Sequence, residues 1–188
     1  MRTSVGPRRR ALAGWLCAAP AALATWAGLT TPAVRAQSVR PPEQHFFQLL
    51  LGDLRSELQA ARTEGRKGVL LIYEMEGCPF CARFHKTVLR EVAVQDWYRR
   101  HFAVFRIDIR GSTSIVGFDG KEGTESAFAV AQRVRATPTS VFYDLQGKEL
   151  VRFAGAPRDA REFLKLGEFV VSGAWQQGSF DAWKARNP

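Results

Sequence analysis

The chain has 188 residues, with 27 basic and 18 acidic side chains and a formal net charge of +9. Residues 1–36 hold five arginines and no acidic residue, so subtracting those five leaves 22 basic against 18 acidic side chains, a net charge of +4. Such a small and scattered excess argues against a nucleic-acid-binding protein. The roughly 150 residues that follow are enough for one compact domain with a core of its own.

The first 36 residues are typical of a secretory signal. A basic start is followed by an apolar run from Ala11 to Leu29 and then by Val34-Arg35-Ala36, which offers small or short residues to a signal peptidase. We expect cleavage after Ala36. The alternative is an uncleaved membrane anchor, because the apolar run is close to the roughly 20 residues that span a bilayer.

The basic start, Arg8-Arg9-Arg10-Ala11-Leu12, also resembles a twin-arginine export signal, and a plain basic n-region fits equally well. Either route leads to an exported protein, and we expect it in the periplasm. Residues 37–42 then form a polar lead-in, and residues 43–188 form a single domain.

The first predicted elements are a helix, a strand and a second helix. Apolar residues at helical spacing predict a helix over 43–63, and the continuous apolar run Val69–Tyr73 predicts a buried strand. The motif Cys78-Pro79-Phe80-Cys81 follows at once. Pro79 suits the first turn of a helix that continues to about Arg90.

The middle of the chain predicts a helix over Val94–His101, an alternating strand over Phe102–Ile109 and a long loop over Arg110–Gly123. Thr124 is a candidate cap for the next helix. The apolar stripe of that helix would consist of Phe128, Ala131 and Val134.

The last part predicts a hairpin and two helices. Strands over 140–143 and 149–153 are joined by a short Gly-containing turn, and Pro157 and Asp159 open a helix to about Ser172. Phe180 and Trp183 belong to a terminal helix. The pattern is therefore α/β, with a mixed sheet and helices on both faces.

Cys78 and Cys81 are the only cysteines left once the signal, with Cys17, is removed. A disulfide across so short a loop constrains the unfolded chain very little, so the pair is better suited to thiol–disulfide exchange. Cys78 would lie at a helix N-terminus, which favours its thiolate. We therefore expect Cys78 to be the attacking nucleophile and Cys81 the resolving thiol.

Metal binding is the alternative for this motif. His85 extends it to C-x-x-C-x-x-x-H, and only His45 and His101 could add a further imidazole. Zinc needs four ligands, so copper(I) fits such a small set better. We expect no metal and no cofactor besides the redox-active cysteine pair. We expect His85 to be a surface residue of its helix, with tuning of the two thiols as the alternative.

Thr137-Pro138-Thr139 stands directly before a predicted strand. A cis peptide bond at Pro138, which only a minority of such bonds adopt, would let the backbone of Thr137 face a bound extended polypeptide.

The two motifs together resemble the thioredoxin family, over about residues 43–188. The resemblance implies a thioredoxin-like fold with about four to five strands, Cys78 and Cys81 as the redox pair and Pro138 as the cis-proline. Thr137, Pro79 and Phe80 would contact the substrate. Further segments are similar to periplasmic thioredoxins of sulfur-oxidation operons (SoxW type): Glu76–Cys81, Phe118-Asp119-Gly120, Val134–Thr139 and Val171–Trp175.

The sequence also departs from the family. Gly77 precedes the first cysteine where thioredoxins carry Trp, and Ile72 stands where they carry a buried aspartate. Glu74 is the nearest candidate for the proton acceptor of Cys81, with an ordinary polar strand end as the alternative. Arg106 or Asp108 on the neighbouring strand could contribute charge.

The leading functional hypothesis is a monomeric reductase of exported cysteine-containing proteins. The resemblance suggests sulfur-oxidation or cytochrome c maturation proteins as clients and a membrane thiol-electron transporter as the reductant. The alternatives are an oxidant or isomerase of the same fold and a non-enzymatic thiol- or copper-binding module. The Arg110–Gly123 loop would either shape client choice or be a mere surface insertion.

Overall fold

The computed structural model of the chain describes residues 39–187. The predicted signal with its cleavage site and Cys17 lie outside the described residues. Within residues 39–187, no helix is both long and apolar enough to cross a membrane.

The centre of the domain is a mixed four-stranded sheet. Its strands are β1 (Gly68–Glu74), β2 (Phe102–Asp108), β5 (Thr139–Tyr143) and β6 (Glu149–Ala154), and β3 (Ser114–Val116) and β4 (Glu122–Thr124) form a separate hairpin. The order in the sheet is β2-β1-β5-β6. β1 runs parallel to β2 and antiparallel to β5, which is antiparallel to β6. The predicted mixed α/β sheet is thereby confirmed.

In the described part of the chain, seven α-helices surround this sheet: α1 (Pro42–His45), α2 (Leu54–Thr63), α3 (Pro79–Phe84), α4 (Val92–His101), α5 (Glu125–Ala131), α6 (Ala160–Val171) and α7 (Phe180–Arg186). A π-helical turn, His85–Leu89, continues α3, and a 3₁₀ turn, Ala174–Gln176, follows α6. Asp159 caps α6 by accepting a hydrogen bond from Glu162 N. Phe180 and Trp183 of α7 pack against the core as predicted.

The core has two halves, one on each face of the sheet. Because side chains alternate along a strand, Phe102 and Val104 of β2 belong to the half under α3, α4 and α6. Ala103, Phe105 and Ile107 belong to the half under α2 and α5. Cys78 and Cys81 lie at the start of α3, which packs on the same face of the sheet as α4 and α6.

The predicted continuous helix over 43–63 is wrong. α1 ends at His45 and α2 begins at Leu54, where Asp53 accepts a hydrogen bond from Arg55 N. Between them the chain follows the outer edge of β2: Gln48 N donates to Val104 O over 2.8 Å, and the Gln48 side chain accepts from Val104 N over 2.9 Å. An edge strand needs such partners, and this tertiary demand overrides the helical apolar spacing.

Two smaller predictions are corrected in the region after β2. The stretch Arg110–Gly123 is not a plain loop, because β3 and the start of β4 lie within it. Thr124 caps α5 as predicted, through a hydrogen bond from Ala127 N. However, the buried residues of α5 are Phe128 and Ala129, whereas Ala131 is exposed.

Phe118 at the turn of this hairpin packs on Tyr143, with ring centroids 4.6 Å apart. Tyr143 pairs with Val69 at the beginning of β1, whereas the cysteine motif follows the end of that strand. The turn of the insertion therefore lies at the end of the sheet away from the cysteines. This position favours a structural role for the turn, whereas the stretch itself begins near the site, since Ile109 N donates to Glu74 O over 2.9 Å.

Candidate active site

The turn between β1 and α3 presents Cys78 at the start of a helix. Gly77 adopts φ = +73°, a conformation that suits glycine far better than any residue with a side chain. Cys78 then caps α3, and its Sγ accepts a hydrogen bond from Cys81 N over 3.2 Å. Pro79 occupies the first turn, where its lack of an N–H costs nothing.

The two sulfur atoms lie 2.6 Å apart, with the Cys81 thiol donating toward Cys78 Sγ. Both residues are buried, at 6% and 5% relative exposure. A three-residue spacing along one helical turn places both sulfurs on the same side of the helix. The two sulfurs are therefore close enough to be joined in a disulfide.

The environment separates the two thiols chemically. Burial by itself raises the pKa of Cys78, but hydrogen bonds from Cys81, from the Thr137 hydroxyl and from backbone N–H groups of α3 lower it below the usual value. Burial, the hydrogen bond to Cys78 and the negative charge of Glu74 together raise the pKa of Cys81 to about 12. The site therefore holds one activated thiol beside one protonated thiol, as expected of a nucleophile and a resolving thiol.

The second motif lies directly over Cys78. The Thr137–Pro138 peptide bond is cis. The Thr137 hydroxyl donates to Cys78 Sγ over 3.3 Å, and Thr137 O accepts from Cys78 Sγ over 3.4 Å. Pro138 is buried, and its carbonyl oxygen accepts from Gly155 N over 2.8 Å. The fold thus brings together two motifs that are far apart in the chain.

An exposed apolar rim borders the cysteines. Phe80 is 62% exposed, and Pro79 beside it is also exposed. Large exposed apolar side chains beside a reactive group are typical of contact with a partner. This arrangement is compatible with the substrate contact that the resemblance implied for Phe80 and Pro79.

Glu74 is not an ordinary polar strand end. It is buried at the end of β1, and both carboxylate oxygens face His85 Nε2, at 2.7 and 2.9 Å. Glu74, Cys81 and His85 line one cleft of about 440 Å³. Ile72, by contrast, is buried in the core half that lies under the cysteine helix.

The expectation of a surface histidine at position 85 is wrong, because its side chain is only 19% exposed and contacts two carboxylates. Its Nδ1 lies 3.1 Å from Glu43 Oε1. In the sequence, the spacing of one helical turn from Cys81 to His85 indicates only that His85 lies near the cysteine motif, and it does not reveal the contacts with Glu43 and Glu74.

The two charged residues of β2 near the site lie beside different residues of β1. Asp108 is in register with Glu74, and Arg106 is in register with Ile72. The pKa of Glu43 is lowered, because a backbone hydrogen bond and the contact with His85 more than offset the effect of burial. The Arg106 charge adds to this lowering. Within residues 39–187, no three His, Cys, Asp or Glu side chains are grouped so that they could hold a metal ion.

Three solved structures resemble this chain in fold and, more weakly, in sequence. A thioredoxin-fold protein from Helicobacter pylori is 27% identical, with a TM-score of 0.51, over 63% of this chain and 77% of that protein. A thioredoxin from Thermus thermophilus is 27% identical, with a TM-score of 0.50, over 65% of this chain and 88% of that one.

A Bacteroides thetaiotaomicron protein, provisionally assigned as a disulphide-isomerase, is 26% identical, with a TM-score of 0.52, over 66% of this chain and 91% of that protein. Among curated proteins, none matches the sequence. The family profile for the thioredoxin-like domain matches residues 54–171, which is more than half of the chain and includes both motifs. Together with the four-stranded mixed sheet and its helices, this match shows that the chain belongs to the thioredoxin-like family.

Proposed function

We propose that the protein is a thiol–disulfide oxidoreductase that reduces disulfides in exported partner proteins. The observation that carries the proposal is the chemical difference between two adjacent sulfurs. Cys78 has a lowered pKa, whereas Cys81, whose Sγ lies 2.6 Å away, has a pKa raised to about 12. One thiol can attack while the other waits in its protonated form.

The reaction then has two exchange steps. The Cys78 thiolate attacks one sulfur of the client disulfide, the client S–S bond breaks, and the other client sulfur leaves as a thiolate. Cys81 next loses its proton and attacks Cys78 Sγ in the mixed disulfide. The Cys78–Cys81 bond forms, and the second client sulfur leaves as a thiolate. Two electrons have passed from the cysteine pair to the client.

The surface around Cys78 supports an extended polypeptide as substrate. The backbone of Thr137 lies beside Cys78 Sγ, and the exposed Pro79 and Phe80 provide an apolar border on the other motif. A client segment would lie along Thr137 with its disulfide over Cys78. No other cofactor is needed, because the redox equivalents reside in the cysteine pair.

The compartment and the partners belong to the same proposal. The basic and apolar N-terminal segment supports export to the periplasm, where disulfide-containing proteins are found. A monomer that receives electrons from a membrane thiol transporter would serve this role. The SoxW-type segments support clients in sulfur oxidation or cytochrome c maturation.

The reduction potential of the cysteine pair tests the direction of electron flow. For a reductase we expect rapid reduction of insulin disulfides and a potential near the roughly −270 mV of thioredoxin. The weak similarity to the Bacteroides protein makes an isomerase or oxidant the second candidate, which a potential above about −180 mV would favour. Copper bound after purification under reducing conditions would instead point to a metal-binding module.

Trapping identifies the clients and the order of the two thiols. A Cys81→Ser variant should retain exported proteins on Cys78 as mixed disulfides, detectable by mass spectrometry. A Cys78→Ser variant is the matched control and should retain far fewer. Equal trapping by both variants would contradict the assignment of Cys78 as the attacking thiol.

A further inference from the structure

Three elements bring a histidine between two carboxylates beside the cysteine pair. Glu74 is the last residue of β1, Glu43 lies in α1, and His85 begins the π-helical turn that continues the cysteine helix. The Glu74 side chain is 8% exposed and the His85 side chain 19%, whereas the Glu43 side chain is 58% exposed. The chain of contacts therefore runs from the buried site toward solvent. π-helical turns are rare and occur frequently at functional sites.

Each nitrogen of the His85 ring lies within hydrogen-bonding distance of a carboxylate. Nδ1 lies 3.1 Å from Glu43 Oε1, and Nε2 lies 2.7 and 2.9 Å from the two oxygens of Glu74. An ionised carboxylate can only accept a hydrogen bond. Glu43 therefore keeps a proton on Nδ1. A proton shared by Glu74 and His85 lies between His85 Nε2 and the Glu74 carboxylate oxygens.

The charges around His85 favour uptake of a proton there. Burial alone would lower the pKa of His85, but the hydrogen bonds and negative charges of Glu74 and Glu43 raise it above its usual value. Cys78 and Cys81 lie in the cleft that Glu74 and His85 share. On the other side of Glu74, one cavity brings together Glu76 and two residues of β2, Arg106 and Asp108. Three basic residues line the groove outside His85: Arg40, Lys86 and Arg90.

We propose that Glu74 and His85 act as one proton-accepting pair for Cys81, with His85 as a positioning residue that acts through Glu74 and Glu43 holding its ring. This inference rests on the proposed thiol–disulfide exchange and assigns the pair to its second step. Glu74 alone was the acceptor expected from the sequence. The pair differs from a lone carboxylate because its proton affinity is set by an imidazole.

As Cys81 attacks the mixed disulfide, its proton passes to a Glu74 oxygen and on to His85 Nε2. The Cys78–Cys81 bond forms, the bond from Cys78 Sγ to the client sulfur breaks, and the client sulfur leaves as a thiolate. The pair ends as a carboxylate and an imidazolium. When a donor thiolate later opens the Cys78–Cys81 bond, the same proton returns to Cys81.

An acceptor is most effective when its proton affinity matches the working pH. The pKa of Cys81 is raised to about 12, so few Cys81 thiols ionise without help at neutral pH. The pKa of His85 is raised by Glu74 and Glu43 after burial has been offset. Above that pKa the imidazole is neutral, and its Nε2, at 2.7 and 2.9 Å from the Glu74 oxygens, can take up the proton that Cys81 releases.

The experiment follows both exchange steps in one reaction of the reduced protein with an aromatic disulfide such as Ellman's reagent. Attack by Cys78 releases the first coloured thiolate, and resolution by Cys81 releases the second. Stopped-flow absorbance between about pH 5 and 9 gives a rate for each step. Wild type, His85→Gln, Glu74→Gln and Glu43→Gln are compared.

For wild type we expect the rate of the second step to rise with pH through the pKa of the pair and then to level off. In His85→Gln the plateau should disappear, and the second step should be roughly 10-fold slower near pH 7.5. Glu74→Gln should slow it further, by roughly 100-fold, and Glu43→Gln should shift the inflection to lower pH. The first step should change by less than about twofold in the His85 variant.

The matched control is His101→Gln. His101 precedes Phe102, at the end of the sheet away from the cysteines, and its Nδ1 lies 2.8 Å from the Trp97 carbonyl oxygen. This variant should keep the wild-type profile. An unchanged second-step profile in His85→Gln would overturn the proton-accepting pair, whereas the absence of a first step in wild type would overturn the thiol–disulfide exchange itself.

Discussion

The hydroxyl group of Thr137 donates a hydrogen bond to Cys78 Sγ over 3.3 Å, although the two residues are 59 positions apart in the chain. The bond joins the turn before β5 to the first turn of the cysteine helix. A hydrogen bond to a thiolate favours the charged form. Thr137 thus links the geometry of the second motif to the reactivity of the first.

A Thr137→Val variant should raise the pKa of Cys78, because it removes this donor while keeping the shape of the side chain. The expected rise is about one unit, equivalent to a hydrogen bond of about 1.4 kcal/mol. Thiolate absorbance as a function of pH measures it. Thr87→Val, which removes a hydroxyl bonded to Arg83 O on the same helical segment, should leave the Cys78 titration in place, and equal shifts in both variants would contradict the role of Thr137.

The stability of the protein should depend on pH through His85. Its pKa is raised in the folded state by Glu74 and Glu43, after burial has been offset. The charged ring therefore stabilises the fold fully below its unfolded pKa of about 6.5 and loses this effect as the pH rises through the folded-state pKa.

The Glu43 pKa is lowered, so its contribution is present above its usual value of 4.5 and is lost as the pH falls through the lowered pKa. We therefore expect His85→Gln to lose the most unfolding free energy, relative to wild type, between about pH 5 and 6.5. Denaturant titrations at several pH values measure this difference, with His101→Gln as the control. A difference that grows from neutral to alkaline pH would be the wrong sign.

Gly167 of α6 lies close against Trp97 and Tyr98 of α4. A Cβ atom at this position would lie 2.2 Å from Trp97 Cζ3 and 3.1 Å from Tyr98 Cζ. Gly167→Ala should therefore destabilise the fold by about 1–3 kcal/mol through overpacking. Gly123→Ala is the control, since its Cβ would meet only Ala127 Cβ at 3.7 Å. Urea unfolding compares the two, and equal stability would show that the helices can separate without cost.

Substitution of Phe118 should reduce stability without affecting activity, and substitution of Phe80 should reduce activity without affecting stability. Phe118 packs on Tyr143 and Phe128 at the end of the sheet away from the cysteines. Phe118→Ala should cost about 2 kcal/mol of unfolding free energy and leave insulin reduction unchanged. Phe80 lies near Cys78 and is 62% exposed. Phe80→Ala should therefore slow insulin reduction and leave the unfolding free energy unchanged. Loss of insulin reduction in a folded Phe118→Ala protein would instead favour a role of the insertion in client choice.

Local pattern was sufficient for much of the fold. The apolar run at Val69–Tyr73, the alternation along Phe102–Ile109 and the Gly-containing turn of the last hairpin each predicted an element that the structure contains. These signals are local because strand alternation and turn chemistry involve residues that are close in the chain. The prediction failed at 43–63, where the edge of β2 supplies hydrogen-bond partners that no local pattern reveals.

The active site likewise has one part that the sequence predicts and one part that depends on tertiary contacts. Cys78 and Cys81 are neighbours on one helical turn, so their spacing alone placed the two sulfurs together. The contacts Thr137–Cys78 and Glu74–His85 join residues 59 and 11 positions apart, and they exist only because β5 and the cysteine helix meet at one end of β1. Charge and burial at a site depend on all elements around it, which is why the reactivity of the pair, unlike its presence, required the folded chain.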